Sequence, residues 1–200
     1  MLTIGLIGGV ASGKSAVSQL FADHGAEVLD ADRVGHDVLR DSEVIQQLVT
    51  RWGKNILNAQ GEVDRRAVAK IVFAPGNEAE RQFLNQLTHP RIGVRLASQL
   101  TSLRQADCPA VVLDAALLLE AGWDNLCDEI IFIDVPRGIR LERARSRGWD
   151  EQELARREAS QLPLEEKKRR ATRIVDNSGS LAELQAQVDR LAGEWFMKNG

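Results

Sequence analysis

Cysteine is scarce in this sequence, and its two cysteines stand alone. Cys108 and Cys127 form no C-x-x-C pair and have no neighbouring histidine, which argues against a metal site and against a disulfide framework. No apolar run approaches the roughly 20 residues that a membrane-spanning helix needs, and no basic leader precedes the apolar N-terminal stretch. We therefore expect free thiols in a cytoplasmic protein without a signal peptide or a membrane span.

The chain also lacks a general excess of positive charge. Its net charge of −3 over 200 residues argues against a nucleic-acid-binding protein. Residues 137–173 are the exception, with twelve Arg and Lys against seven Asp and Glu. A basic segment in an acidic chain favours a small anionic ligand, and a solvated helical face is the alternative. We predict no nucleic-acid partner, no membrane partner and no obligate protein partner.

What the chain does have is a set of short apolar runs separated by helical patterns. The runs predict buried parallel strands at Leu2–Ile7, Glu27–Asp30, Ala110–Asp114, Glu129–Val135 and Arg173–Asp176. Charged helices are predicted at Arg137–Arg147 and Glu151–Arg170, and an amphipathic C-terminal helix carries a stripe of Leu181, Leu184, Val188, Leu191 and Trp195. Strands that alternate with helices predict an α/β fold with a parallel five-stranded sheet and helices on both faces.

A glycine-rich loop follows the first apolar run. Gly8-x-x-x-x-Gly13-Lys14-Ser15 fits the GxxxxGK[ST] pattern of a phosphate-binding loop between a strand and a helix. The glycines let backbone N–H groups point at phosphate oxygens, and the start of the helix adds its positive dipole. Lys14 supplies charge for the β- and γ-phosphates, and the Ser15 hydroxyl suits Mg²⁺. The alternative is a glycine-rich turn without a ligand.

Aspartates follow three of the predicted strands, at the end where ligands of open α/β sheets bind. Asp32 lies two residues after Asp30, and a carboxylate there could deprotonate an attacking hydroxyl or hold the metal through water. Asp114 and Asp134 each end an apolar run, and we favour Asp114 because only one acid is needed there. Helix capping and turn formation are the alternative for a lone aspartate at such a position.

Five arginines lie in the predicted helix over 137–147, and their spacing puts Arg140, Arg143 and Arg147 on one face. Phosphoryl transfer spreads negative charge over oxygens that one lysine and one metal only partly neutralise, so kinases add arginines. A helical lid can deliver them and exclude water. We assign this role to Arg143 and leave Arg147 open. For Arg137, Arg140 and Arg145 we favour a solvated helix face with glutamate partners.

Taken in order, the motifs of this chain resemble those of the dephospho-coenzyme A kinase family. They are GLIGGVASGKS, VLDADRV, WGKNILNAQGEVDRRAVAKIVF, LTHPRI, LLLEAGW, RARSR, SQLPLEEKKRRA and IVDNSG. The phosphate loop alone occurs in many families, whereas this ordered series runs nearly end to end and is far more specific. The resemblance implies that MgATP donates its γ-phosphoryl group to the 3′-hydroxyl of the ribose in 3′-dephospho-coenzyme A.

The same resemblance implies a fold and a set of site residues. The fold would be one P-loop nucleotide-kinase domain, a three-layer sandwich with its core at about 1–30, 109–137 and 171–200, a helical acceptor-binding insertion at about 31–108 and a helical lid at about 138–170. Catalysis would rest on Asp32 as the general base, Lys14 and Arg143. ATP would bind at Gly9, Ala11, Ser12, Gly13, Lys14, Ser15, Ala16 and Asn177, and the acceptor at Asp32, His89, Arg91, Asp114 and Leu118. Mg²⁺ would bind Ser15, with Asp32 or Asp114 acting through water. By itself, His89 would be interpreted as a helix-boundary residue.

Three features depart from the family pattern, and three rival functions stay open. Ala16 replaces a hydroxyl residue, Ala115 and Ala116 stand in a stretch that lacks the Pro and Phe of D-x-P-L-L-F-E, and Arg140 stands where glutamine is expected. The rivals are another small-molecule or nucleoside-monophosphate kinase of the same fold, a GTPase, and a non-catalytic nucleotide-binding protein. The sequence has no N-K-x-D guanine-binding motif, which counts against the GTPase.

Overall fold

A computed structural model describes residues 1–196, and the chain divides into two compact units. The first unit joins Met1–Asp30 to Leu100–Gly200, and the second is Ala31–Gln99. The second unit ends before the boundary near 108 that was expected for the inserted helical segment. The roles of this segment in acceptor binding and of residues 138–170 as a lid stay predictions. Within residues 1–196 no helix is both long enough and apolar enough to cross a bilayer.

The first unit is built on a parallel sheet of five strands. They are β1 (Leu2–Gly8), β2 (Glu27–Asp30), β3 (Ala110–Asp114), β4 (Glu129–Asp134) and β5 (Arg173–Asp176), in the spatial order β2-β3-β1-β4-β5. The predicted parallel five-stranded sheet is therefore confirmed. The apolar runs indicated it because strands of a parallel sheet that is covered on both faces are apolar along their whole length. The register pairs Asp30 with Asp114 and Asp134 with Asp176, so the carboxyl ends of these strands are level.

Helices cover both faces of this sheet. On one face, Ile131 and Ile133 of β4 belong to a buried cluster with residues of α1 (Lys14–Asp23) and α9 (Leu181–Phe196). Phe132 points to the opposite face, where Nζ of Lys168 in α8 (Leu164–Arg170) lies 5.8 Å from the ring centre. The three-layer α/β arrangement predicted for the chain is confirmed.

The basic segment forms three helices, α6 (Arg137–Ser146), α7 (Glu151–Glu158) and α8. The single helix predicted over Glu151–Arg170 is wrong. Pro163 directly precedes α8. A proline disfavours the helical backbone conformation of the residue in front of it, and it has no N–H to donate to a helix on its N-terminal side, so it interrupts the predicted helix. In α9 the predicted apolar stripe is buried at Leu184, Val188 and Trp195, whereas Leu181 at the first residue of the helix is 68% exposed.

The second unit is helical, with α2 (Ala31–Val38), α3 (Ser42–Trp52), α4 (Arg65–Val72) and most of α5 (Glu78–Gln105). Short 3₁₀ helices lie at Lys54–Ile56 in this unit and at Trp123–Leu126 in the first unit.

Pro90 lies inside α5 and removes one amide donor from its helical ladder. Next to it, the side chains of Thr88 and Arg91 each donate to a backbone carbonyl of the preceding turn at 2.8 Å. His89 is therefore inside a helix and not at its boundary.

Candidate active site

The loop between β1 and α1 has a defined and strained backbone. The amide of Ser12 donates to the carbonyl oxygen of Gly9 at 3.1 Å, which closes a tight turn. Ala11 has a φ of 62° and Gly13 a φ of 91°, in the left-handed region that costs a residue with a side chain about 1–2 kcal/mol. Ala11 is only 7% exposed. Such a residue keeps this conformation only where its surroundings impose it.

Two side chains from distant parts of the chain fix the Ser12 carbonyl. It accepts hydrogen bonds from Asn177 Nδ2 at 2.8 Å and from Arg143 Nη1 at 3.2 Å. Arg143 Nη2 also donates to the carbonyl oxygen of Asn177 at 2.8 Å, so the two side chains act as one support. Across a trans peptide the next N–H points away from the carbonyl, and the bonds therefore aim the Gly13 N–H away from this support. A Cβ at Gly13 would overlap the amide nitrogen of Asn177.

The start of α1 presents positive polarity next to this turn. Gly13 gives the helix no side-chain cap, and its first turn carries no acidic residue, so its dipole favours an anion there. Lys14 is partly exposed, and Ser15 and Ala16 are exposed. Ser12 is 1% exposed, and its Oγ has no hydrogen-bond partner among residues 1–196. This hydroxyl is enclosed by the protein beside β1, since a Cβ on Gly8 would lie 2.8 Å from its Oγ.

Asp114 lies beside α1 at the carboxyl end of β3. Its Oδ2 accepts a hydrogen bond from Ser18 Oγ at 3.3 Å, and Ser18 is about one turn beyond Ser15 on α1. The sheet register sets Asp114 between Leu6 of β1 and Asp30 of β2. The strand-end carboxylate and the phosphate-loop helix therefore share one end of the sheet.

Asp134, the second candidate acid, forms an ion pair. Its Oδ2 lies 2.6 Å from Nζ of Lys168, and this hydrogen bond raises the pKa of Lys168. Lys168 links α8 to the end of β4 in this way. Asp134 is therefore held in an ion pair with α8, whereas Asp114 lies beside α1, and the choice of Asp114 as the acid near the loop stays a prediction.

The arginines of α6 have different surroundings. Arg143 contacts the loop as described, whereas Arg147 is exposed. Arg137 lies 2.7 Å from Glu151, half exposed, as expected for a solvated face. The same expectation is wrong for Arg140, which is 3% exposed and contacts the loop backbone. The spacing of the arginines identified one helix face, but it contained no signal that this face meets the phosphate loop.

The candidate acceptor residues of the insertion belong to the second unit. Asp32 is exposed in the first turn of α2, two residues after the last residue of β2. His89 and Arg91 are partly exposed in the middle of α5, and Arg91 Nη2 lies 3.9 Å from Oε2 of Glu43 on α3. The structure thus groups the loop with Arg143, Asn177 and Asp114 in the first unit and groups Asp32, His89 and Arg91 in the second. The roles of all these residues stay predictions.

Leu118, the remaining candidate for acceptor binding, is a core residue. It is 1% exposed, and a Cβ at Gly5 of β1 would lie 2.7 Å from its Cδ2. Its side chain fills space beside β1, which leaves only its backbone for a ligand. Ala115 and Ala116, which depart from the family pattern, therefore lie in a turn whose Leu118 side chain is packed into the core.

A buried ion pair near this turn was not identified from the sequence. Nζ of Lys167 lies 3.0 Å from Glu120 Oε1 and 2.9 Å from Gln161 Oε1, and Lys167 is 1% exposed. Glu120 Oε1 also accepts from the amide of Leu162 at 2.8 Å. These residues lie in the motifs LLLEAGW and SQLPLEEKKRRA, so the family pattern was the only sequence signal for them.

The arrangement around the loop fits a magnesium nucleotide better than a protein-only metal site. Within residues 1–196, no group of three or more His, Cys, Asp or Glu side chains could hold a metal ion. Mg²⁺ does not need such a cage, because it keeps several waters and binds a few protein oxygens together with nucleotide phosphates. The exposed Ser15 hydroxyl at the start of α1 and the Asp114 carboxylate beside α1 match that donor set.

Comparisons with known proteins agree on one family. The family model described as dephospho-CoA kinase matches residues 2–183. A dephospho-CoA kinase of Carboxydothermus hydrogenoformans is 37% identical over 198 residues, which is 98% of this chain and 95% of that protein. One of Bacillus licheniformis is 38% identical over 196 residues, 97% of this chain and 96% of that protein.

Solved structures agree with the fold. The crystal structure of TT1252 from Thermus thermophilus aligns with a TM-score of 0.79 and 31% identity, covering 96% of this chain and 97% of that one. A dephospho-CoA kinase from Campylobacter jejuni aligns with a TM-score of 0.67 and 24% identity, covering 98% and 97%. At that identity the second likeness concerns the fold alone.

Proposed function

This chain belongs to the dephospho-CoA kinase family, and from that membership we propose how its own residues carry out the reaction. The reaction is the ATP-dependent phosphorylation of dephospho-CoA in coenzyme A biosynthesis. In atoms, an oxygen of the 3′-hydroxyl of the ribose attacks the γ-phosphorus, the bond to the β,γ-bridging oxygen breaks, and ADP leaves. The hydroxyl proton passes to a base.

One observation carries the assignment of the ATP phosphates to the loop. The Ser12 carbonyl is bound by both Arg143 and Asn177, which turns the Gly13 N–H to the opposite side. The start of α1 adds further amides there. A phosphate chain bound at this side meets fixed donors that need no reorganisation when charge develops.

Lys14 and Arg143 supply the positive charge for the transferring group. Lys14 is the first residue of α1, next to the loop, and its flexible ammonium suits the β- and γ-phosphates. Arg143 uses Nη1 and Nη2 for backbone carbonyls, and a guanidinium carries five N–H donors in all. Its remaining donors serve the nucleotide, so Arg143 both shapes the loop and stabilises charge.

Mg²⁺ is the cofactor that this donor set suits. Ser15 would hold the ion directly, and Asp114 or Asp32 would hold it through water. When bound, the ion neutralises charge on the β- and γ-phosphate oxygens. We also propose a cytoplasmic location for the enzyme.

Asp32 is the proposed general base. Its carboxylate is exposed in the first turn of α2, and a carboxylate that accepts a hydroxyl proton contributes typically about 10²- to 10⁴-fold to a rate. His89, Arg91 and the backbone near Leu118 would bind the acceptor, and the charge of the partly exposed Arg91 side chain suits its phosphate groups.

A panel of acceptors tests this function. The purified chain is incubated with ATP labelled at the γ-phosphate and with dephospho-CoA or one of several nucleoside monophosphates and small-molecule alcohols. We expect label on dephospho-CoA alone, and no competition by GTP at concentrations equal to ATP. Transfer to a nucleoside monophosphate with dephospho-CoA unlabelled would overturn the proposal.

A further inference from the structure

Arg140 is a buried cation directly behind the phosphate loop. Its Nη1 donates to the carbonyl oxygen of Val10 at 3.3 Å, and its Nε donates to that of Val135, just after β4, at 3.2 Å. A Cβ on Gly9 would lie 2.8 Å from Nη1 and 2.9 Å from Cζ. The guanidinium therefore touches the loop backbone, and with 3% exposure it has almost no contact with water.

Glu158 at the end of α7 neutralises this guanidinium. Its Oε1 accepts a hydrogen bond from Arg140 Nη1, and its side chain is 27% exposed. A buried charge without a counter-ion is strongly destabilising, so Glu158 is what permits a cation behind the loop. Through Arg140, α7 is connected to the backbone of Val10.

Apolar contacts connect the same elements. Val10 and Ala11 of the loop form one buried cluster with Ala144 of α6 and Leu154 of α7, and Trp149 packs against it. The back of the loop is thus fixed by both helices, by packing as well as by hydrogen bonds.

We propose that Arg140, supported by Glu158, is a positioning residue for ATP. By binding the Val10 carbonyl at the back of the loop, it turns the Ala11 N–H to the opposite side, since the two groups point apart across a trans peptide. In the same way, Arg143 and Asn177 bind the Ser12 carbonyl and so turn the Gly13 N–H to the opposite side. Arg140 touches only the backbone, so it acts on ATP through the loop. The proposal rests on the proposed function only in taking ATP as the ligand of the loop.

The test compares the dissociation constant of MgATP, and KM and kcat, for full-length wild type, Arg140→Ala and Arg140→Gln. Losing charged hydrogen bonds to the backbone should weaken MgATP binding by about tenfold in Arg140→Ala. Arg140→Gln keeps one amide donor that can reach a loop carbonyl, so its loss should be intermediate. KM for ATP should follow this order, and KM for dephospho-CoA should stay near the wild-type value. If Arg140→Ala does not fold, Arg140→Lys replaces it, because lysine keeps the charge without the fork.

A matched control and a double-mutant cycle separate positioning from stability. Arg137 lies on the same helix and 3.7 Å from the same Glu158, but it is half exposed and paired with Glu151. Arg137→Gln should therefore leave MgATP affinity unchanged. Glu158→Ala should weaken MgATP binding in the wild-type background and have little further effect in Arg140→Ala, because the two residues act as one unit.

The proposal is overturned if Arg140→Ala lowers the melting temperature but binds MgATP like wild type, or if the two substitutions act additively. A wild-type chain that binds MgATP and phosphorylates no dephospho-CoA would end the proposed function instead. The order of MgATP affinities would then still decide the role of Arg140.

Discussion

The side-chain amide of Asn177 donates to the carbonyl oxygen of Ser12 at 2.8 Å, across 165 residues of sequence. Asn177 directly follows β5 and Ser12 follows β1, and β4 lies between these two strands in the sheet. The strand order therefore brings the Asn177 amide to the loop. The amide lies so close to Gly13 that a Cβ on this residue would overlap the amide nitrogen.

This contact predicts different outcomes for two glycines with the same backbone angle. Gly13 and Gly25 both have a φ of 91°, but nothing lies within 4 Å of a Cβ built on Gly25. Both Gly→Ala variants should lose about 1–2 kcal/mol of folding stability through the left-handed backbone. Only Gly13→Ala should also lose ATP binding, because its methyl group displaces Asn177. Calorimetric titration with MgATP and denaturant unfolding measure the two effects, and equal ATP affinities would contradict the assignment.

Removing the proposed base should separate chemistry from binding. Asp32→Asn should lower kcat by about 10²- to 10⁴-fold and leave the dissociation constant of ATP close to that of wild type. Asp37→Asn is the matched control, since Asp37 lies exposed on the same helix α2, and it should retain activity. An equal loss of ATP affinity in Asp32→Asn would make Asp32 a metal-site residue instead of the base.

Removing the lysine of the loop should affect both steps. Lys14→Ala should weaken ATP binding by about tenfold or more through the lost charged contact and also slow transfer. Lys54→Ala, at an exposed position of the 3₁₀ helix in the second unit, serves as the control. Steady-state kinetics with labelled ATP check this expectation, and an unchanged transfer rate in Lys14→Ala would refute the loop assignment.

An ion pair in the second unit predicts a pH dependence of stability. A hydrogen bond from Arg51, and to a smaller extent one from Trp52, lowers the pKa of Glu80 from 4.5 to about 2. The folded state therefore holds the proton less tightly than the unfolded chain, and the pair contributes stability above pH 4.5 that disappears as the pH falls towards 2. Glu80→Gln should be less stable than wild type at neutral pH, with a difference that shrinks below pH 4.5.

Urea unfolding between pH 3 and 7 measures this difference. Glu78→Gln is the control, because it removes a carboxylate from the same first turn of α5. A Glu80→Gln difference that stays constant down to pH 3 would contradict the depressed pKa.

The two thiols should differ in reactivity. Burial, more than the nearby carboxylates of Asp124 and Asp128, raises the pKa of Cys127 to about 12, and the thiolate is the reactive form. Iodoacetamide at pH 8 should therefore label Cys108 faster than Cys127, and both should react after denaturation. Mass spectrometry of the labelled peptides tests this, and faster labelling of Cys127 would contradict its raised pKa.

The sheet and the loop were predictable because local pattern determines them. Continuous apolar runs such as Ala110–Asp114 are what a doubly covered parallel strand requires, and the structure reproduces those bounds. The phosphate-loop motif fixes its own context between a strand and a helix. Pro163 is also visible in the sequence, and it lies between α7 and α8 in the segment for which the helical pattern predicts one helix.

The surroundings of the loop were not predictable, because they depend on contacts between distant elements. The helix pattern gives no sign that Arg140 is buried and Arg137 solvated, yet Arg140 is 3% exposed behind Gly9 and Arg137 lies in a solvated ion pair. Lys168 and Asp134 likewise meet only once α8 packs on the sheet. A charged residue in a helix pattern is normally solvated, and only the tertiary fold identifies the exceptions.

The support of the Ser12 carbonyl also has a consequence for the order of synthesis. A ribosome makes the loop long before Arg143 and Asn177, which fix its backbone and follow Ser12 by 131 and 165 residues. The loop can adopt its binding conformation only when nearly the whole first unit has been translated and β5 has joined the sheet. Nucleotide affinity in a series of truncated nascent chains should therefore appear abruptly once residue 177 is free of the ribosome, and so report completion of the fold.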